Sequence, residues 1–81
     1  MFKNKTKDGK NNICGTKIKQ IRLTQIPKMS QRRLADLLQN QGIDVDKNAI
    51  QRIESGQRFI TDIELQAFSK IFNVSCDDLL K

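Results

Sequence analysis

The stretch VDKNAIQRIESGQR, Val45 to Arg58, reads as a short amphipathic helix with an uncommon outer face. Wound at roughly 100° per residue from Val45 to Ser55, with Asp46 as N-cap and Gly56 past its end, it puts Ala49, Ile50 and Ile53 on one side. That is the usual buried stripe. Opposite fall Asn48, Gln51 and Ser55, flanked by Lys47 and Arg52. Each outer residue from Lys47 to Arg52 is a cation or an amide. Base edges in a major groove take those groups: Arg or Lys for guanine, Asn or Gln for adenine. A solvated surface face looks much the same on one helix, so the flanking sequence has to decide.

Upstream, Ser30 is a good N-cap, and Leu34, Ala35, Leu37 and Leu38 form the apolar stripe of a preceding helix. Gly42 is placed to end that helix in the left-handed conformation, and Ile43 to Val45 make a short turn. Helix, glycine-containing turn, helix is a helix-turn-helix pattern. An earlier helix spans about Thr16 to Gln25 on Ile18, Ile21 and Leu23, and Pro27 blocks its continuation. Downstream, Gln57 to Ile60 read as a loop. Thr61 with Glu64 three residues on is a capping box opening a fourth helix. Ile63, Leu65, Ala67, Phe68, Ile71 and Phe72 should be well buried on it, and Asn73 closes it. Ser75 caps a short fifth helix with Asp77 and Asp78 in its first turn; Val74, Leu79 and Leu80 should fix it to the core. The expected fold is an all-α, compact five-helix bundle with the helix-turn-helix at helices 2 and 3.

With 81 residues, the chain holds one domain near the size where a single apolar core just suffices. Residues 1–13 are polar, basic and turn-rich and read as a flexible arm; residues 14–81 form the domain. The net charge is +6, unevenly spread: residues 1–33 hold ten Lys and Arg against one Asp, residues 34–81 five against eight Asp and Glu. Such a basic half suits an anionic partner, nucleic acid ahead of a membrane surface, or serves only as a solubilising tail. No apolar run reaches the ~18 residues of a membrane helix, and no signal-peptide pattern opens the chain. A cytoplasmic protein is expected.

Histidine is absent, which removes Cys-His and Ser-His dyads and imidazole zinc sites. Cys14 and Cys76 stand far apart and cannot hold a metal alone; Cys76, in an apolar helical pattern, reads as a small core residue. Gly9, Gly15, Gly42 and Gly56 are isolated and make no phosphate loop. No catalytic residue, metal or cofactor is expected.

Three segments in order, SQRRLADLL (30–38), NAIQRIESGQR (48–58) and ELQAFSKIFNVSCDDLL (64–80), resemble the phage-repressor family of Cro and lambda-repressor type. The resemblance runs from about Ile18 to the end of the chain. It implies a lambda-repressor-like domain: a sequence-specific, double-stranded DNA-binding transcriptional regulator, a repressor, inserting helix 3 into the major groove. Lys47 and Asn48 would reach base edges, with Gln51 and Arg52 one turn on. Ser30 and Gln31 would contact the DNA backbone at the start of helix 2, and Gln57 and Arg58 would do so after helix 3. Arg22 and Glu54 match a family pair that bridges the first and third helices. From Leu34 to Glu54 this chain is about five residues longer than the family's usual spacing, read as one extra turn on helix 2. The connection near Thr24 to Lys28 is also extended.

The family usually binds near-palindromic sites as dimers, so a homodimer using the bundle itself is one expectation, with the protein associated with the nucleoid. The alternative is an antitoxin or protein-interaction adaptor on the same fold, docking a toxin or other basic partner against the acidic second half. The arm lysines Lys3, Lys5, Lys7 and Lys10 could track phosphates or simply solubilise the chain.

Overall fold

Five helices follow one another through residues 9–80, the part of the chain that the computed structural model describes: α1 Gly15–Thr24, α2 Gln31–Asn40, α3 Lys47–Glu54, α4 Asp62–Phe72 and α5 Cys76–Leu80. No strand occurs among these residues. The first eight residues of the basic arm and Lys81 lie outside them.

Local chemistry sets most of the helix ends. The Ser30 hydroxyl accepts the Arg33 N–H at 2.9 Å and the Asp46 carboxylate accepts the Ala49 N–H at 2.8 Å, so each satisfies a donor that has no partner within its helix. Thr61 and Glu64 form a reciprocal capping box at the start of α4. Gly42, at φ +84°, closes α2: its N–H donates to Gln39 O and the next N–H, of Ile43, donates back to Leu38 O. Gly56, at φ +83°, closes α3 in the same way, with its own N–H on Ile53 O and that of Gln57 on Arg52 O. This double bond pattern satisfies the terminal carbonyls and needs a left-handed residue, which glycine adopts without strain. Asn73 takes the left-handed role after α4 at φ 55°.

The core joins Ile18 of α1, Leu34, Ala35 and Leu38 of α2, Ile50 and Ile53 of α3, Ala67, Phe68 and Phe72 of α4, and Leu79 of α5. Phe68 and Phe72 lie with nearly parallel rings, 6.3 Å between centroids. Full burial of a side chain the size of Phe68 is worth about 1.5–3 kcal/mol. The bundle is thus closed by α4 and α5, while α2 and α3 keep their polar sides outward.

Several expected core positions differ, among them Leu23, which is 43% exposed, and Leu65 and Ile71, which are half-buried. Ile63 is 65% exposed, because on α4 it shares its side with the exposed Gln66 and Lys70 rather than with Ala67 and Phe68. Leu80 is 43% exposed: α5 is only five residues long, and its one fully buried position is taken by Leu79. Cys76 is half-buried, at the mouth of a groove shared with Asp62, Ile63, Leu65 and Gln66. The buried cysteine is Cys14. Burial pushes its thiol above the ordinary range, with a backbone hydrogen bond opposing in part, so it stays protonated and inert.

The end of the basic arm is tied down. Asn12 Oδ1 accepts the Gly15 N–H at 2.8 Å, while its Nδ2 donates to the carbonyls of Ile53 at 3.0 Å and Arg58 at 2.8 Å. Asn11 donates through its backbone N–H to Gly56 O and through Nδ2 to Gln57 O, both at 2.7 Å. Residues 11 and 12 therefore belong to the folded unit. Gly15 permits the approach, since a Cβ there would run into the Ile53 carbonyl oxygen. The start of α1 sits directly on the end of α3.

Candidate nucleic-acid interface

The orientation of α3 is set by a buried ion pair. Arg22 Nε donates to Glu54 Oε2 at 2.7 Å and Nη2 to Oε1 at 3.0 Å, with side chains 9% and 3% exposed. Arg22 Nη1 donates to Met29 O at 2.8 Å, and Gln31 Nε2 adds a bond to Glu54 Oε1 at 3.1 Å. One carboxylate at the end of α3 thereby holds α1, the α1–α2 connection and the start of α2. A bidentate guanidinium–carboxylate pair also fixes angle, not only distance.

At the other end of the motif, Gln39 Nε2 donates to Val45 O at 2.7 Å, bracing the connection between the helices. Arg32, Ala35, Asp36, Gln39, Asp46 and Lys47 line one groove of about 320 Å³ along α2 and the start of α3. Cations of both helices thus open onto a shared concave surface.

The exposed residues of α3 are Lys47, Asn48, Gln51 and Arg52, followed by Ser55 after the helix. Among the described residues the side chains of Lys47, Asn48, Gln51 and Arg52 make no hydrogen bond or ion pair. The helix has a single carboxylate, Glu54, and it is buried. A free face of paired donors and acceptors with two cations can bind base edges and phosphates and offers nothing to activate a nucleophile.

The residues expected on the DNA backbone divide. Ser30 is exposed at the start of α2, its hydroxyl accepting from Arg33 N and keeping its own O–H to donate outward. Gln57 is exposed, and among the described residues only its backbone is engaged. Gln31 is half-buried and spends one amide donor on Glu54. Arg58 is turned inward to Glu64: Nη1 donates to Oε1 at 3.0 Å and Nη2 to Oε2 at 2.8 Å. It links the loop after α3 to the capping box of α4, because Glu64 Oε1 also accepts the Thr61 N–H at 2.9 Å. Burial would raise the Glu64 pKa, but hydrogen bonds from Arg58 and Thr61 and the Arg58 charge outweigh it and hold the carboxyl below its ordinary value. The same hydrogen bond raises Arg58, against its own burial. Sequence reading passed over Arg32 and Arg33, exposed cations beside Ser30 with no ion pair among the described residues; two adjacent arginines after a helix cap were the available signal.

A helix-turn-helix family model matches residues 18–79, from within α1 almost to the end of α5. The chain belongs to this family, the helix-turn-helix family of Cro/C1 type, and is a DNA-binding regulator. No curated protein and no solved structure matches it significantly. No helix among the described residues is long and apolar enough to cross a membrane.

Two outcomes check this geometry. Glu54→Ala leaves Arg22 buried and unpaired, which costs about 3–5 kcal/mol; thermal unfolding should show the loss at about 4–8 °C per kcal/mol for a domain of this size. An unchanged melting temperature would mean that the pair does not hold α3. Glu64 has a lowered folded pKa, so its contribution is complete at neutral pH and disappears as pH falls below the ordinary glutamate value of about 4.3. Melting temperature should therefore drop on acidification, and Glu64→Gln should lower it at pH 7 and flatten the acid limb. Parallel profiles for the two proteins would place the acid sensitivity elsewhere.

Proposed function

We infer that the protein is a sequence-specific regulator of transcription, a repressor, that places α3 in the major groove of duplex DNA. The observation that carries this reading is the outer face of α3: Lys47, Asn48, Gln51 and Arg52, all exposed and none with a side-chain partner among the described residues. Lys47 and Asn48, at the start of the helix, reach base edges; Gln51 and Arg52, a turn later, reach bases or the adjoining phosphates. Ser30 and Gln57 contact the backbone at either side of the motif, with Arg32 and Arg33 supplying charge at the α2 end. Arg58 and Gln31 contribute chiefly by holding Glu64 and Glu54, and so by shaping the surface.

Two copies on a near-palindromic site, with half-sites one helical turn apart, would present two such helices to one side of the duplex. The second reading, an antitoxin or adaptor that docks a partner protein, draws on the exposed Ile63 and Leu80 beside Asp62 and Asp77 on α4 and α5. It leaves the unengaged face of α3 without a purpose and ranks second.

Selection of bound duplexes from a random pool should enrich a two-fold symmetric sequence. Lys47→Ala or Asn48→Ala should then relax preference at one base position per half-site, by about 1–3 kcal/mol for a bidentate contact. Equal losses on selected and random duplexes would remove these side chains from base readout. No enrichment at all would favour the adaptor reading.

A further inference from the structure

Asn12 joins three places in the fold with one amide. Its Oδ1 accepts the Gly15 N–H at the start of α1, while its Nδ2 donates to the carbonyls of Ile53 and Arg58. Those carbonyls stand on either side of the turn by which the chain leaves α3. Asn11 fills the space between them, with its backbone N–H on Gly56 O and its Nδ2 on Gln57 O. Two residues thus meet four carbonyls at and beyond the end of α3, where the helix itself supplies no donors. Both asparagines lie ahead of residues 18–79, the segment matched by the family model.

We propose that Asn12, assisted by Asn11, is a positioning residue for DNA recognition: it sets the angle at which α3 presents Lys47, Asn48, Gln51 and Arg52, without itself touching the duplex. Such positioning bears on recognition through the docking of α3 inferred above, and rests on it. Arg22 holds Glu54 from near the end of α1. A helix held through one residue can still pivot about it. Over the eight residues of α3, about 12 Å long, a tilt of roughly 5° at one end displaces the other by about 1 Å. Asn12 supplies the second attachment, from the opposite end of α1, where Gly15 lets the Ile53 carbonyl pack against the backbone. Two ties spaced along α1 fix a direction that one tie leaves free. Hydrogen bonds to base edges weaken steeply with misalignment. Attraction of the exposed cations to phosphate is long-ranged and tolerates it.

The test uses the full chain with Asn12→Ser. A serine hydroxyl still accepts the Gly15 N–H and keeps the start of α1 capped, but it is too short to donate to both Ile53 O and Arg58 O. Affinity is measured on the duplex selected by the parent and on a random one, well below the melting temperature of either protein, with circular dichroism showing both folded. Binding to the selected duplex should weaken about tenfold, the loss of alignment at one bidentate base contact. Binding to the random duplex, and its salt slope, should stay as in the parent. Amide exchange at Gly56 and Gln57 should quicken as the turn is released. A lower melting temperature with undiminished affinity for the selected duplex would make Asn12 a purely structural tie and overturn the proposal. Equal losses on the two duplexes would overturn it as well. If Asn12→Ser does not fold, Asn11→Ala, which removes the Nδ2 bond to Gln57 O and keeps the backbone bond to Gly56 O, is held to the same readouts. Failure of the α3 reading looks different: the parent itself would then show no base preference.

Discussion

Glu54 is the point on which the recognition surface depends. Its carboxylate accepts two N–H groups from Arg22 and one from Gln31, and so joins the end of α3 to α1 and to the start of α2. A helix of eight residues is too short to persist by itself in water. α3 exists because Ile50 and Ile53 are buried and because both its ends are held. Asp46 and the Gln39 bond to Val45 O fix the start; Glu54, Gly56 and the two asparagines fix the finish. Removing either partner of a desolvated ion pair leaves a charge that water cannot reach. Hence the fold and the presentation of the surface are coupled.

Charge is divided by the same architecture. The carboxylates nearest the loop after α3, Glu54 and Glu64, are buried and occupied by Arg22 and Arg58. That leaves Lys47, Arg52, Arg32 and Arg33 exposed on α2 and α3, with no ion pair among the described residues. Asp36 and Asp46 are their nearest acidic company, in the groove with Arg32 and Lys47. Asp62, Asp77 and Asp78 lie on α4 and α5. An approaching polyanion therefore meets cations on the motif helices and acids on the closing helices, which favours one orientation of approach.

Much of this was legible in the sequence because it was written in local chemistry. Ser30, Asp46 and the Thr61–Glu64 box each specify a helix start through one side chain and one N–H, and Gly42 and Gly56 mark ends that need a left-handed residue. The helix stripes of α2 and α3 are narrow and unambiguous, so Leu34, Leu38, Ile50 and Ile53 were readable as core. α4 is apolar over a wide arc, and periodicity alone could not say that Ile63 falls on the Gln66 and Lys70 side. Where partners are distant in sequence, local reading is silent: Asn12 bonds residues 41 and 46 positions away. Polar composition suggested a free arm through residue 13, whereas the carbonyls ending α3 require donors, and Asn11 and Asn12 supply them.

On the function proposed, the outer face of α3 and the start of α2 meet DNA while α4 and α5 do not. Backbone amide chemical shifts followed by NMR during titration with a selected duplex test it most directly. The largest changes should fall at residues 30–33, 47–52 and 57, with little change across residues 62–80. Changes concentrated on α4 and α5, with α3 unmoved, would contradict it.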